Sequence, residues 1–96
     1  MYIIQNDYNF EIYIGYTNNL VSRLKKHNEG GNKSTAFRKG SWKYVYVEVF
    51  RSKADALERE RKLKHHAKGK HELLKRIKNS LLKPKIGEGS AARSQE

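Results

Sequence analysis

The sequence predicts an α+β fold, and its apolar patterning supports that prediction in two ways. Two short runs rich in Ile and Tyr, Tyr2–Gln5 and Glu11–Tyr16, flank four turn-forming residues, which is typical of a β-hairpin. A longer alternating run, Trp42–Phe50, predicts a third strand, while the other apolar residues recur at helical spacing. We therefore expect a sheet made of the hairpin and the third strand, packed by about three helices.

The composition is that of one small, strongly basic domain. The 96 residues include 21 Lys and Arg against 10 Asp and Glu, a formal net charge of +11. Such a surplus attracts polyanions, since each phosphate that meets a Lys or Arg releases a counterion. Nucleic acid is the expected partner. A membrane surface is the weaker alternative, because the basic helices lack a bulky apolar face, and a merely soluble basic protein is the third.

Two absences in the sequence narrow the class of protein. Without Cys there is no disulfide and no thiolate zinc site, which suits a reducing compartment. No apolar run is long enough for a signal segment or a membrane span. We therefore expect a cytoplasmic protein that does not bind membranes.

The hairpin is predicted to carry two tyrosines on one face. If residues 6–9 form the turn, Gln5 pairs with Phe10 and Tyr2 pairs with Tyr13. Both phenols then emerge from the same side of the hairpin. The opposite side carries Ile3, Ile12 and Ile14.

The first helix is predicted to be capped by Thr17 or Asn18 and to end near Asn28. Its predicted core contacts are Leu20 and Leu24. The hairpin that precedes this helix ends in Gly15. A glycine in a strand indicates either a close approach of backbone or ligand or a β-bulge.

Arg23 and His27 lie one turn apart beside the apolar stripe of this helix. An arginine in such a flanking position is more often a solvated side chain than a functional group. Because it follows two tyrosines and precedes a histidine by one turn, we favour a functional role.

The loop and the third strand each permit two interpretations. Residues 29–40 have no period and are predicted to form a mobile loop. Five of its side chains could contact a phosphate backbone or could be simply solvated, namely Lys33, Ser34, Thr35, Arg38 and Lys39. The strand Trp42–Phe50 places valines on one face and aromatic rings on the other. Those rings suit base stacking or packing beneath a helix, and packing is the favoured interpretation.

Glu60 is the carboxylate that stands out in the second helix. Ser52 and Asp55 predict a capping box at the start of this helix, which is expected to end near Ala67. The apolar stripe on either side of Glu60 consists of Ala56, Leu57, Leu63 and Ala67. A carboxylate on a buried stripe is costly unless it is paired or metal-bound. We therefore expect a cationic partner, either Arg23 alone or Arg23 together with a divalent metal.

The end of the chain is predicted to contain a third helix and a tail. A break at residues 68–70 precedes a helix over His71–Leu82, and residues 83–96 are expected to be disordered. The folded domain would then cover residues 1–82. Three histidines match no zinc spacing and are expected at the surface, namely His65, His66 and His71.

These residues resemble the GIY-YIG nuclease superfamily, and in particular its small, single-domain bacterial members. The resemblance covers about residues 1–82 and includes the second motif intact, as Tyr13-Ile14-Gly15. The positions that match in order are Tyr2, Tyr13, Arg23, His27 and Glu60, and Asn79 falls where many members have a late asparagine.

The resemblance implies a three-stranded antiparallel sheet and one-metal phosphodiester hydrolysis. Glu60 would hold a single Mg²⁺ or Mn²⁺. Tyr2 would take the proton of the attacking water, directly or through Tyr13, with Arg23 and the metal favouring its phenolate. Arg23 would stabilise the charge of the transition state. His27 would bond Tyr13 or the phosphate.

The expected substrate is DNA, recognised by its structure rather than its sequence, as in DNA repair or recombination. Contacts to the backbone are expected from Lys26, Lys33, Thr35, Arg38, Lys39, Lys64 and Lys68. Two alternatives stay open, a non-catalytic nucleic-acid-binding module and a subunit whose nuclease requires a protein partner. We expect the chain by itself to be a monomer.

Overall fold

The structure is a computed structural model, and it describes residues 1–30 and 39–84. Within these residues the elements in chain order are β1 (Tyr2–Asn6), β2 (Ile12–Gly15), α1 (Leu20–Asn28), β3 (Trp42–Val47), α2 (Lys53–His65) and α3 (Ala67–Arg76). The strands form one antiparallel sheet in the order β2-β1-β3. The predicted α+β fold with a three-stranded antiparallel sheet is therefore confirmed.

The sheet separates two apolar clusters, because successive residues of β1 point to opposite faces. The first cluster joins the sheet to α2 and α3 and contains Met1, Ile3, Ile14, Leu63 and Leu73. The second joins the sheet to α1 and contains Tyr2, Ile4 and Trp42, with Leu24 packed against them. All five residues of β1 are buried. The central strand is thus covered on both faces, which holds its side chains in fixed positions.

The hairpin pairs two residues further along β2 than predicted. Tyr2 pairs with Gly15 and Ile4 pairs with Tyr13, so the predicted pairing of Tyr2 with Tyr13 is wrong. A shift of two residues leaves every side chain on its original face, whereas a shift of one would reverse the faces. The two tyrosines therefore still share one side of the sheet.

The turn of the hairpin accounts for this register. Its four residues are 7–10, because Asn6 still belongs to the ladder and donates its backbone N–H to the carbonyl of Glu11 at 2.9 Å. The Asn6 side-chain oxygen accepts the backbone N–H groups of Tyr8 and Asn9. Phe10 closes the turn in the left-handed region, with φ of 64°. A left-handed phenylalanine is uncommon, and the sequence pattern did not indicate it.

Helix α1 begins slightly later than predicted, and one of its expected core contacts is wrong. The N-cap is Asn19, whose side chain accepts the backbone N–H of Ser22 at 3.1 Å. Leu24 packs into the second cluster as expected, but Leu20 is 38% exposed. The side chain that α1 buries most deeply is His27, at 1% exposure.

A β-bulge at Val45 divides the predicted aromatic face of β3. Ile3 pairs with Tyr46 while Ile4 pairs with Tyr44, so Val45 is left between them without a partner on β1. The two residues of such a bulge point to the same side, and both Val45 and Tyr46 accordingly pack against the first cluster. The predicted continuous aromatic face is therefore wrong, and these rings pack into the domain rather than forming a base-stacking surface.

The end of α1 is bonded to the start of β3. The Asn28 side-chain N–H₂ donates to the carbonyl of Trp42 at 3.2 Å, and the Trp42 N–H donates to the Asn28 side-chain oxygen at 2.6 Å. This pair of bonds fixes the last turn of α1, and with it His27, against the sheet. β3 itself ends at Val47, before the predicted Phe50, and Val49 beyond it is 88% exposed.

Helices α2 and α3 meet at His66, not at the predicted break over residues 68–70. His66 has an extended backbone with φ of −123° and ψ of 93°, and α3 runs on through Gly69. Ser52 is the N-cap of α2 as predicted, but its side chain makes no capping hydrogen bond, so the capping box is wrong. The three predicted surface histidines are all exposed.

The third helix also ends earlier than predicted, at Arg76, yet the following segment stays attached to the sheet. The Leu82 N–H donates to the side-chain oxygen of buried Gln5 at 2.7 Å. Residues 85–96 of the predicted tail lie outside the described residues, so the division into domain and tail stays a prediction. Among the described helices, none is long and apolar enough to cross a membrane.

Candidate active site

Tyr2 lies at the centre of the candidate site, in the middle strand of the sheet, and is 1% exposed. Its ring is enclosed by three others, with centroid separations of 6.3 Å to Tyr13, 5.8 Å to His27 and 5.5 Å to Tyr44. The His27 and Tyr44 rings present edge-on geometry, with interplanar angles of 66° and 86°, which aromatic pairs favour. These contacts restrict the phenol to one position.

Hydrogen bonds of the preceding residue, Met1, hold the backbone of Tyr2 in place. The amino group of Met1 donates to the carbonyl of Glu48 at 2.9 Å, and the Glu48 N–H donates to the Met1 carbonyl at 2.8 Å. Met1 is itself buried, at 5% exposure. The ladder between β1 and the chain after β3 therefore extends past Tyr2, which fixes the position of the phenol.

Gly15 supplies the space that the Tyr2 ring occupies. A Cβ atom at this position would lie 2.5 Å from the Tyr2 hydroxyl oxygen, 2.6 Å from its ring carbon Cζ and 3.0 Å from Tyr13. Gly15 is also the residue paired with Tyr2 across the hairpin. The glycine of the Tyr13-Ile14-Gly15 motif is thus required because a phenol side chain crosses its partner strand there, whereas the sequence had suggested a close approach of backbone or ligand, or a bulge.

The Tyr2 hydroxyl and the Nε2 atom of His27 lie 2.7 Å apart in a buried hydrogen bond. Burial, and after it the charge of Tyr13, raises the pKa of the Tyr2 phenol well above its usual range, and Arg23 opposes this only in part. Burial, with help from Arg23, lowers the pKa of His27. A protonated phenol beside a neutral imidazole is satisfied when the hydroxyl donates to Nε2. Arg23 favours the Tyr2 phenolate as expected, but burial outweighs it in the protein alone, and the expectation for Arg23 together with a metal stays a prediction.

Tyr13 packs against the same histidine. The rings of Tyr13 and His27 lie 4.9 Å apart with an interplanar angle of 62°. His27 thus bonds Tyr2 rather than Tyr13, which it contacts through its ring. On its other side, Tyr13 meets the ammonium of Lys64, 5.5 Å from the ring centroid.

Arg23 lies half-buried at the edge of this aromatic group. Its Nη2 donates to the backbone carbonyl of Tyr16 at 3.4 Å. Its charge contributes to the pKa shifts of both Tyr2 and His27, so the guanidinium lies within electrostatic range of both side chains. A planar guanidinium with donors to spare is suited to bind a phosphate in two places at once.

Glu60 meets a different cation from the one predicted. Its Oε2 lies 2.8 Å from the ammonium of Lys64, one helical turn further along α2, and its side chain is 18% exposed. The alternative in which Arg23 alone pairs with Glu60 is wrong, because a partner at i+4 on the same helix is within reach. The alternative of Arg23 together with a divalent metal stays a prediction. The Glu60 charge helps to raise the pKa of Tyr2, so the carboxylate lies within electrostatic range of the phenol.

The apolar stripe around Glu60 is shorter than predicted. Ala56 and Leu63, one turn on either side of it, are buried at 3% and 2% exposure. Leu57 is 41% exposed and Ala67, in α3, is also exposed. Glu60 is consequently held at the rim of the core with one edge accessible to solvent.

Glu60 fits one kind of metal site. The described residues hold no group of three or more His, Cys, Asp or Glu side chains that could enclose an ion. Mg²⁺, however, keeps several waters and is commonly bound by one or two carboxylates together with substrate phosphates. A single accessible carboxylate fits such a partly substrate-made site, provided that Lys64 gives up its contact.

The other predicted site residues are spread over the surface. Asn79 is exposed in the turn after α3, and no hydrogen bond or ion pair in the described part of the chain joins it to the residues around Tyr2. Lys26 and Lys68 are exposed on α1 and α3, and Lys39 lies 5.7 Å over the ring of Tyr8. Three predicted contacts lie outside the described residues, namely Lys33, Thr35 and Arg38. The nucleic-acid role of all these residues stays a prediction.

Sequence reasoning missed two contributors to the site. Tyr44 supports the Tyr2 ring edge-on and donates its hydroxyl to the carbonyl of Leu20 at 2.6 Å, and only the sheet register could reveal it. Lys64 was expected to contact nucleic acid, but its bond to Glu60 was not foreseen. The i, i+4 spacing of that pair was visible in the sequence and could have indicated it.

Lowering the pH from about 7 to about 5 is expected to destabilise the fold through His27. Burial holds the pKa of His27 below its ordinary value of 6.5, so the unfolded chain binds a proton there at a pH where the folded chain does not. The contribution of His27 to the free energy of unfolding is then present above about pH 6.5. It is lost as the pH falls towards the pKa of His27 in the folded protein. Thermal unfolding of wild type and His27→Gln across this range measures it.

The His27→Gln variant is expected to be less stable at neutral pH and to show a shallower loss of melting temperature in acid. His65→Gln, which replaces an exposed histidine, is the control and should keep the wild-type slope. An acid slope of the His27 variant equal to that of wild type would contradict the assignment.

Comparison with known proteins identifies the family of this chain. Residues 1–79 match the GIY-YIG catalytic domain. The chain is 43% identical over 49 residues to UPF0213 protein CPE1444 of Clostridium perfringens, covering 51% of this chain and 53% of that protein. It is 36% identical over 53 residues to UPF0213 protein OB0043 of Oceanobacillus iheyensis, covering 55% and 62%.

A third relative is UPF0213 protein RBAM_000440 of Bacillus velezensis, 40% identical over 62 residues, covering 64% of this chain and 62% of the relative. The matches thus span between about half and three fifths of the relatives' own length. No solved structure gives a significant match. The match over residues 1–79, together with the fold, shows that the chain belongs to the GIY-YIG catalytic domain family, which is a nuclease family.

Proposed function

We propose that this chain is a divalent-cation-dependent endonuclease that hydrolyses phosphodiester bonds in DNA and selects its substrate by structure rather than by sequence. The observation that carries the proposal is the buried 2.7 Å bond between Tyr2 and His27, with the charges of Arg23 and Glu60 within electrostatic range of the phenol. Membership of a nuclease family supports the same chemistry.

Tyr2 and His27 form a two-step proton relay in this proposal. The Tyr2 hydroxyl donates to Nε2 of His27, so its oxygen has lone pairs free to accept a proton from an attacking water. As the water oxygen bonds to phosphorus, its proton passes to Tyr2 and the Tyr2 proton passes to His27. A phenol with a raised pKa is suited to this role because it never has to exist as a free phenolate.

Arg23 binds the scissile phosphate and stabilises the negative charge that develops on its non-bridging oxygens. When bound at Glu60, a Mg²⁺ or Mn²⁺ ion supplies Lewis acidity towards the phosphate and the departing oxygen. Tyr13 keeps the His27 ring in place, with the two centroids 4.9 Å apart. The bond between phosphorus and the leaving oxygen breaks as the bond to water forms.

DNA affinity comes from the basic surface rather than from the recognition of bases. The net charge of +11 favours backbone binding whatever the sequence. Because Tyr2 and His27 are each only 1% exposed, a phosphate on a junction or a single-stranded segment reaches them more easily than one in uniform duplex. This accessibility argument supports selection by structure and a place in DNA repair or recombination.

The proposal is tested by incubating the protein with branched, single-stranded and duplex DNA of one sequence composition, with Mn²⁺ or with a chelator. Cleavage that requires the cation, and is fastest on the branched or single-stranded substrate, is the expected result. Binding to all three substrates without any product would favour a non-catalytic module. That alternative draws support from the protonated Tyr2 and from the ammonium already bonded to Glu60.

A further inference from the structure

Lys64 is the one basic side chain that contacts both a candidate metal ligand and a candidate catalytic ring within the described residues. Its ammonium lies 2.8 Å from Oε2 of Glu60 and 5.5 Å from the centroid of the Tyr13 ring. The side chain is 40% exposed, so part of its surface faces solvent. It therefore stands between the carboxylate and the aromatic face that carries Tyr2.

We propose that Lys64 is an exchangeable cation of the active site. It holds the Glu60 carboxylate in place until a divalent ion takes that carboxylate, and it then binds a non-bridging oxygen of the substrate phosphate. This inference rests on the proposed function. It adds to the site a residue that binds first the Glu60 carboxylate and then the substrate phosphate.

The first argument is competition for a single carboxylate. Glu60 is the carboxylate to which the proposed function assigns the metal, the described residues hold no cluster of three or more potential ligands, and one of the two Glu60 oxygens is engaged by Lys64. A divalent ion and an ammonium at this separation repel each other, since like charges a few ångströms apart cost free energy even in water. Binding of the ion must therefore displace the ammonium.

The second argument concerns where the displaced ammonium goes. Lysine is a compact charge on a flexible four-carbon stem with three rotatable donors, so it can change partners without moving the backbone. The Tyr13 ring already lies beneath it, and Tyr13 contacts His27 at 4.9 Å. A phosphate positioned for attack beside Tyr2 and Arg23 is the nearest anion that a substrate would bring to this face.

An ordinary surface ion pair is the alternative, because glutamate and lysine at i, i+4 often pair on helices with little effect. Helix α2 offers the matched comparison. Lys62 pairs with Glu58 at 3.8 Å on an exposed part of the same helix, with 58% and 49% of the two side chains exposed. Replacing either lysine by glutamine removes one positive charge, but only Lys64 touches Glu60.

The experiment measures Mg²⁺ affinity of the full chain without DNA, from the NMR shifts of the Glu60 amide in a titration with Mg²⁺ alone. Lys64→Gln is expected to bind Mg²⁺ about tenfold more tightly than wild type, because a like charge beside the ion is removed. Lys62→Gln should change the affinity by less than about twofold, and Lys64→Arg, which keeps the charge, should stay near wild type. Thermal unfolding checks that each variant is folded.

A second measurement concerns the phosphate. The affinity of each variant for a short single-stranded oligonucleotide is measured at several salt concentrations in Mg²⁺. Lys64→Gln should lower the salt slope by about one phosphate contact. An equal Mg²⁺ affinity of Lys64→Gln and wild type would overturn the proposal, as would an equal gain in Lys62→Gln or an unchanged salt slope. Mg²⁺ binding too weak to detect in Lys64→Gln would also overturn the proposal.

These outcomes are independent of the proposed function. Neither measurement requires turnover, so a protein that never cleaves DNA can still show tighter Mg²⁺ binding in Lys64→Gln. Conversely, a wild-type protein that cleaves with Mn²⁺ while Lys64→Gln binds Mg²⁺ unchanged would retain the nuclease proposal and lose only the exchange.

Discussion

Glu60→Gln is expected to abolish cation-dependent cleavage while leaving the fold and most DNA binding intact. The substitution keeps the shape of the side chain but removes the charge that would hold the divalent ion. Loss of Lewis-acid stabilisation worth several kcal/mol corresponds to a fall of roughly a thousandfold or more in the cleavage rate. Because Glu60 lies at the rim of the core, 18% exposed, the fold should tolerate the amide. Cleavage rate, binding and melting temperature are measured on the same preparation.

Glu58→Gln is the matched control for this prediction. Glu58 lies two residues away on α2, bonds Arg61 at 2.7 Å and is 49% exposed, so the variant removes the same charge from the surface. Its cleavage rate is expected within about twofold of wild type. Undiminished cleavage by Glu60→Gln would refute the role of this carboxylate. Equal losses in both variants would indicate a general effect of net charge instead.

Gly15→Ala is expected to inactivate the site without replacing any catalytic side chain. The added methyl would lie 2.5 Å from the Tyr2 hydroxyl oxygen and 2.6 Å from Cζ, so the ring must move. That movement breaks the 2.7 Å bond to His27. A displacement of about an ångström can reduce an enzymatic rate about a hundredfold, and overpacking of this kind destabilises by about 1–3 kcal/mol. Cleavage assays and chemical denaturation provide the two measurements.

Two further variants separate displacement of the phenol from general damage. Gly69→Ala places the same methyl in α3, where nothing lies within 4 Å, and should keep full activity with equal or greater stability. The double variant Tyr2→Phe, Gly15→Ala is expected to cleave no more slowly than Tyr2→Phe alone, since both changes act through one hydroxyl. Additive losses in the double variant would show that Gly15 has another role.

The face of the sheet on which the tyrosines lie could be predicted from alternation even though the pairing could not. Tyr2 and Tyr13 share a side because the error in register was an even number of residues, which leaves each side chain on its predicted face. The pairing itself depends on the turn, where Phe10 adopts a left-handed backbone. Nothing in an aromatic residue indicates that conformation in advance.

Alternation failed in β3 for a specific reason. Val45 is a bulge residue, so Tyr46 joins the side of the valine while Tyr44 stays beside Tyr2. The position of a bulge depends on the elements that the strand packs against. For β3 these are β1 and the helices on the two faces of the sheet. The sequence of β3 alternates without interruption and carries no mark of it.

The partner of Glu60 shows the same division between local and tertiary information. Helical spacing placed Glu60 on the apolar side of α2, between Ala56 and Leu63. The choice between a cation across the sheet and one on the same helix depends on the distance between α1 and α2. In the structure Lys64 is within reach at 2.8 Å, and its own position over Tyr13 follows from how α2 packs on β2.

The sequence by itself determined the fold class, the order of the elements and the side of the sheet that carries the phenols. Those properties follow from the periodicity of apolar residues, which is local. Only the tertiary structure decided that Tyr2 bonds His27, that Gly15 yields its space to Tyr2 and that Lys64 engages Glu60. Each of these depends on distances of a few ångströms between side chains, and such distances are set when the sheet pairs and the helices pack against it.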